Sequence, residues 1–238
     1  MNFKDAIWPD SIDDLKTYLM GLANEKYKNF SKGLIPGDFL MLGVNVPTLK
    51  RIAKEIYKSD WKNFLEIDDE KTFEIKFLKG QVIANITSPC EYEEYFWRYL
   101  PSIDDWSSCD SFISASKVIR SDRGRFFEIA KKLIESEVEF ENRVGFVILL
   151  NYFVDEEYKN DIFNAIRGFE SASYYANMGL AWLLCVLYVS FPKETFVFLK
   201  ENKFNEHVIK YTIRKVRDSY QISSEEKKRI LELNFISK

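Results

Sequence analysis

Apolar residues recur along this chain at intervals of three and four, the spacing that lines one face of an α-helix, from near one end to near the other. The first run extends from Ser11 to about Phe30, with Leu15, Leu19 and Leu22 on one side and Asp10 or Ser11 placed to cap it. A cluster of breakers follows, Gly33-Leu34-Ile35-Pro36-Gly37-Asp38, and Pro47 then stands where the first turn of a second helix begins. That helix carries Leu49, Ile52, Ala53 and Ile56 on one face. Further helices are predicted at about 71–86, 91–100, 107–120, 122–136, 139–153, 157–169, 174–190, 193–201, 205–219 and 223–233, joined by short links. Period-two alternation is nearly absent. Its one strand-like stretch, Thr195-Phe196-Val197-Phe198-Leu199, is flanked by helix-compatible Pro192-Lys193-Glu194 and Lys200-Glu201-Asn202. The pattern predicts an all-α protein.

About a dozen consecutive helices with short links build either a globular bundle or a solenoid of stacked helix pairs. Pairs of the HEAT type take about 40 residues each, so five or six fit the 238 residues. No linker divides the chain, and a single domain spanning 1–238 is expected.

Composition narrows the picture. Hydrophobic residues make up 46% of the chain, and only 9 Gly and 6 Pro interrupt it, which favours a folded, helical protein over a disordered one. The most apolar stretch, Met178 to Val189, is 12 residues long, well short of the roughly 20 that a membrane crossing needs. It reads as a buried core helix. Cys90, Cys109 and Cys185 are odd in number and in no metal-ligand or CxxC spacing, which points to a reducing compartment. The polar residues after Met1-Asn2-Phe3-Lys4-Asp5 lack the apolar core of a secretory signal, so a cytoplasmic location is expected.

The chemistry left open is narrow. His207 is the sole histidine, which removes Ser-His-Asp, Cys-His and histidine-based metal mechanisms. No Gly-rich phosphate loop or dinucleotide fingerprint is present, so neither cofactor nor metal is expected. Carboxylate and electrostatic chemistry remain.

Four stretches in order along the chain resemble the DNA alkylation-repair glycosylase family, often called AlkD-like: FLMLGVNVPTLKRIAKEI at 39–56, DDWSSCDSF at 104–112, SYYANMGLAWLLCVLY at 173–188 and IRKVRDSYQIS at 213–223. The resemblance implies a curved α-α superhelix of HEAT-like pairs, an α-solenoid, whose concave face cradles double-stranded DNA. It also implies hydrolysis, without a cofactor, of the N-glycosidic bond of cationic N3- or N7-alkylated purines. Trp106-Ser107-Ser108-Cys109-Asp110 matches the family's Trp-x-x-x-Asp pattern, which sets ring and acid one helical turn apart. By that match Asp110 stabilises positive charge developing on the deoxyribose and positions water. Trp106 and Trp182 frame the lesion, and each cation-π contact contributes about 0.5–2 kcal/mol. Arg143 matches a family arginine that holds the DNA backbone, a task that suits a guanidinium. Met178 and Cys185 depart from the best-known active type, which carries basic residues there.

A net charge of -3 works against gripping a polyphosphate, so DNA binding must come from a local patch. Lys117, Arg120, Arg123, Arg125, Lys131 and Lys132, set against Asp122 and Glu128, form one basic stretch of net +4. Lys210, Arg214, Lys215 and Arg217 form a second on one predicted helix. Bland readings stand beside these: a solvated helix face for the charges, core packing for the tryptophans, and a first-turn acid favoured by the helix dipole for Asp110. A non-catalytic DNA-binding relative and a HEAT-type protein-interaction scaffold remain alternatives to the glycosylase.

Overall fold

A computed structural model describes residues 12–69, 71–202 and 204–235. In chain order its helices are α1 (Ile12–Gly21), α2 (Glu25–Leu34), α3 (Val46–Tyr57), α4 (Trp61–Leu65), α5 (Phe73–Ile83), α6 (Pro89–Tyr99), α7 (Trp106–Ala115), α8 (Arg123–Ile134), α9 (Glu139–Tyr152), α10 (Lys159–Ile166), α11 (Tyr174–Ser190), α12 (Pro192–Glu201), α13 (Glu206–Asp218) and α14 (Ser224–Arg229). Short 3-10 helices occupy Leu100–Ser102, Lys117–Ser121 and Ile230–Phe235. Among the described residues, strand-type pairing is limited to an isolated bridge between Leu40 and Thr72, so the protein is all-α as predicted.

Three predicted helices are each two elements. The run placed at 11–30 ends at Gly21, and α2 starts afresh where the Asn24 side chain accepts the Tyr27 N–H at 2.9 Å. It then runs through Gly33 into the breaker cluster. The cap assigned to Asp10 or Ser11 lies outside the described residues. The helix placed at 107–120 ends at Ala115, where the Ser116 hydroxyl donates to the Phe112 carbonyl at 2.8 Å and a 3-10 turn follows. The helix placed at 223–233 likewise ends at Arg229 and tightens into a 3-10 turn. The five-residue α4, capped by Asp60, is too short for periodicity to reveal.

The chain divides into two compact units, one up to Ser121 and one from Asp122. In the first, α3 packs on α5 and α5 on α7, with α4 and α6 behind them. Leu49, Ile52, Phe64, Phe77 and Val82 fill its core. Because α5 is covered on nearly every side, two charged residues are buried within it, Glu74 and Lys76. Glu74 accepts the backbone N–H groups of Leu42 (2.9 Å), Gly43 (2.7 Å) and Val44 (3.3 Å), satisfying the loop that leads into α3. Helix α1 is tied down through Lys16, 2.6 Å from the buried carboxylate of Asp69. Burial alone pushes the Asp69 carboxyl up, but Lys16 and the donors of Thr72 hold it below the ordinary carboxylate value.

In the second unit α9, α11 and α13 pack in succession, α8 lies on α9 and α12 on α11. The predicted apolar run forms the interior of α11, and the strand-like stretch lies in α12. None of the helices among the described residues is long and apolar enough to cross a membrane. Within each unit, helices that follow one another in a layer alternate with partners set behind it, which is the layering of an α-solenoid.

Candidate functional site

Helix α7 begins at Trp106 because Asp105 ends the preceding turn in an extended conformation and caps it, accepting the Ser108 N–H at 2.8 Å and hydroxyl at 2.7 Å. Asp105 is fully buried and lies 3.2 Å from the ammonium of Lys76, itself buried. Lys76 also pairs with Asp104 and stands 5.3 Å from the centre of the Phe39 ring. The Tyr99 hydroxyl donates to the Lys76 carbonyl at 3.0 Å. Burial, with the nearby charge of Asp105 next, pushes that phenol well above its ordinary pKa.

This buried network fixes the first turn of α7 and so sets the two residues that the sequence singled out. The Trp106 indole N–H donates to the Leu34 carbonyl at 3.1 Å, closing the end of α2, and the ring is half-buried against the core. Asp110 follows one turn later and is half-buried. The first turn of α7 holds no acid, and the capping acid is Asp105. The reading of Asp110 as a first-turn acid therefore does not apply.

In the second unit Arg143 is buried on α9, and its guanidinium donates to the Tyr175 carbonyl in the first turn of α11 at 3.3 Å. One turn earlier on α9, Glu139 accepts the Tyr175 N–H at 2.6 Å, and Phe140 stacks on Tyr175 with ring centres 5.2 Å apart. The two helices approach closely at Gly179: a Cβ at that position would lie 3.3 Å from Cδ2 of Phe146 and 3.4 Å from Cα and Cγ of Arg143. Trp182 follows three residues on and is half-buried. Lys215 of α13 holds its ammonium 5.8 Å from the centre of the Trp182 ring. Cys185, buried one turn beyond Trp182, has its thiol pushed up to about 11 by burial, with Lys215 pulling the other way. Helix α11 carries no basic residue, so the cation beside Trp182 comes from α13.

The basic stretches are less uniform than their composition suggests. Arg123 pairs with Asp155 and with Glu157 at 2.8 Å and lies 4.4 Å over the Tyr158 ring. Arg125 pairs with Asp122 at 3.0 Å and Lys131 with Glu128 at 2.8 Å. The net +4 of the stretch is thus partly cancelled by acids outside it. Lys117 and Arg120 are exposed on the 3-10 turn after α7. On α13, Lys210 pairs with Glu206 at 2.7 Å and Lys215 turns toward Trp182, while Arg214 and Arg217 are exposed.

Sequence reading missed Lys76 and Asp105, whose pairing joins positions 29 residues apart and leaves no local signal. It also passed over Lys50 and Lys54 on α3, which with Lys117 line an open cleft. No group of three or more His, Cys, Asp or Glu side chains among the described residues is placed to hold a metal ion.

A family model described as DNA alkylation repair enzyme matches residues 15–216, most of the chain. No curated protein matches the sequence.

Proposed function

Starting from a chain that belongs to the DNA alkylation repair enzymes, we propose that it is a monofunctional DNA N-glycosylase releasing cationic N3- or N7-alkylated purines from duplex DNA and leaving an abasic site. The carrying observation is the start of α7: Trp106 opens the helix, Asp110 follows one turn later, and the cap is supplied by Asp105 instead.

The chemistry asks little of the protein. An alkylated purine already carries positive charge and departs neutral, so no strong general acid is required. As the glycosidic bond lengthens, positive charge builds on the deoxyribose, and a fixed carboxylate lowers the energy of that state and orients the attacking water. Asp110 takes this role. Trp106, its ring fixed by the bond to Leu34, presents an aromatic surface beside the acid. Trp182, with Lys215 over its ring, contacts the duplex, as do Lys117, Arg120, Arg214 and Arg217 through phosphate. Arg143 keeps the start of α11 in place and completes the DNA-contacting set. The protein acts in the cytoplasm.

The test is release of methylated purine from alkylated duplex DNA by the wild-type protein and Asp110→Asn at low salt. Loss of a transition-state electrostatic partner lowers the rate by about 10²-fold or more, with folding unchanged by circular dichroism. A wild-type rate equal to that of the mutant removes Asp110 from the mechanism. Absence of release by folded wild-type protein that still binds DNA replaces the glycosylase with a binding-only relative, the reading that Met178 and Cys185 favour.

A further inference from the structure

Within the first unit, a cleft of about 560 Å³ opens between α3, the end of α5 and the turn after α7. This lies in the range of ligand pockets, roughly 300–1,000 Å³. Three lysines line it, Lys50 and Lys54 one turn apart on α3 and Lys117 from the 3-10 turn, and no carboxylate does. None of the three forms an ion pair or side-chain hydrogen bond with another described residue. The next lysine along the chain, Lys58 at the C-cap of α3, pairs with Glu55 at 2.8 Å. A cleft of about 500 Å³ in the second unit has the opposite balance, with Glu128, Glu135 and Asp161 beside a single lysine.

Three like charges around one concavity repel one another and gain from a shared counter-charge. A second observation points the same way. Gln81, at 3% exposure, lines the cleft, and its side-chain amide has no hydrogen-bond partner among the described residues. Its amide is not one of the fully buried polar atoms without a partner, so it is wetted at the cleft and open to a ligand oxygen. The end of α5 does not compete for the anion's place. The carbonyls of Gly80, Gln81, Val82 and Ile83 already accept hydrogen bonds from residues 84–86.

We propose that this cleft binds phosphate, with Lys50, Lys54 and Lys117 supplying charge and Gln81 a neutral donor, and that its occupant is the backbone of the DNA strand. For that occupant the proposal rests on the function given above; the phosphate chemistry itself stands on the cleft alone.

The experiment is a salt titration of binding to an unmodified duplex, comparing wild type, Lys50→Ala/Lys54→Ala/Lys117→Ala and the control Lys58→Ala. Removing one lysine that neutralises a phosphate makes the log–log salt slope shallower by about 0.9, so the triple variant is expected to fall by about two to three units. Lys58→Ala stays at the wild-type slope. An unchanged slope in the triple variant overturns the cleft and leaves base release untouched. If wild type binds no duplex and releases no base, the proposed function has failed separately. Titration with pyrophosphate by calorimetry then decides: saturable binding abolished in the triple variant assigns the cleft to a free phosphate compound, and equal heats in both proteins overturn it.

Discussion

At the scale of single residues, the stability of the site's framework rests on Lys76. Its ammonium is the counter-charge for Asp105, which is fully buried and caps the helix that carries Trp106 and Asp110. Asp104 is the less critical partner, because its side chain is 65% exposed and water can replace Lys76 there. Replacing Lys76 with Met leaves the Asp105 charge buried and alone, which costs about 3–5 kcal/mol. Urea unfolding of Lys76→Met should show a loss of that size. Adding Asp105→Asn should recover much of it, since an amide oxygen still caps Ser108 while the stranded charge is gone. Equal losses in the single and double variants would show that the methionine's packing, not the charge, is responsible. None of this is legible in the sequence: a lysine in helix 71–86 and an aspartate before helix 107–120 look like solvated surface until tertiary packing closes over them. Asp110 is the opposite case. Its spacing from Trp106 is local, so one turn of helix is enough to read it.

At the scale of elements, the second unit depends on how closely its helices approach. Gly145 of α9 faces α8, and a Cβ there would lie 2.9 Å from the Ala130 carbonyl oxygen and 2.9 Å from Cγ1 of Ile134. Two effects of Gly145→Ala oppose each other. Helix propensity gains about 0.5–1 kcal/mol, whereas overpacking a fixed backbone costs about 1–3 kcal/mol. The carbonyl belongs to a helix and cannot rotate aside, so the variant is expected to be destabilised by about 1–2 kcal/mol in urea. A stabilised variant would mean that α8 and α9 slide apart freely. Helix type and order are readable because apolar spacing survives in nearly every element. The breaks are harder to read, because Asn24 and Ser116 act through single side-chain hydrogen bonds and the lone Gly21 that ends α1 is a weak signal by itself. The basic stretches look stronger in sequence than in structure for a related reason: the acids that neutralise Arg123 arrive from 155–157, beyond any window centred on it.

At the scale of the whole molecule, a net charge of -3 coexists with local basic ground. Ion pairs consume many of the cations, while Lys50, Lys54 and Lys117 stay open around one cleft, so the sign of the total says little about the partner. The sulfur chemistry is distributed in a comparable way. Cys109 is fully buried, Cys185 is 7% exposed with its thiol raised to about 11, and only Cys90 among the three is exposed. Thiolate is the form that attacks electrophiles, and at pH 7 Cys185 holds about one part in ten thousand of it. Brief treatment with iodoacetamide should therefore label one site, Cys90, in the native protein and all three after denaturation, as read by mass spectrometry. Fast labelling of Cys185 in the native state would show that α11 opens. A protein that mends alkylated DNA meets the same reagents that damage it. The burial that packs α7 and α11 also shelters their sulfur atoms, so a dose able to methylate guanine spares the helices that carry Trp106 and Trp182 from becoming adducts themselves.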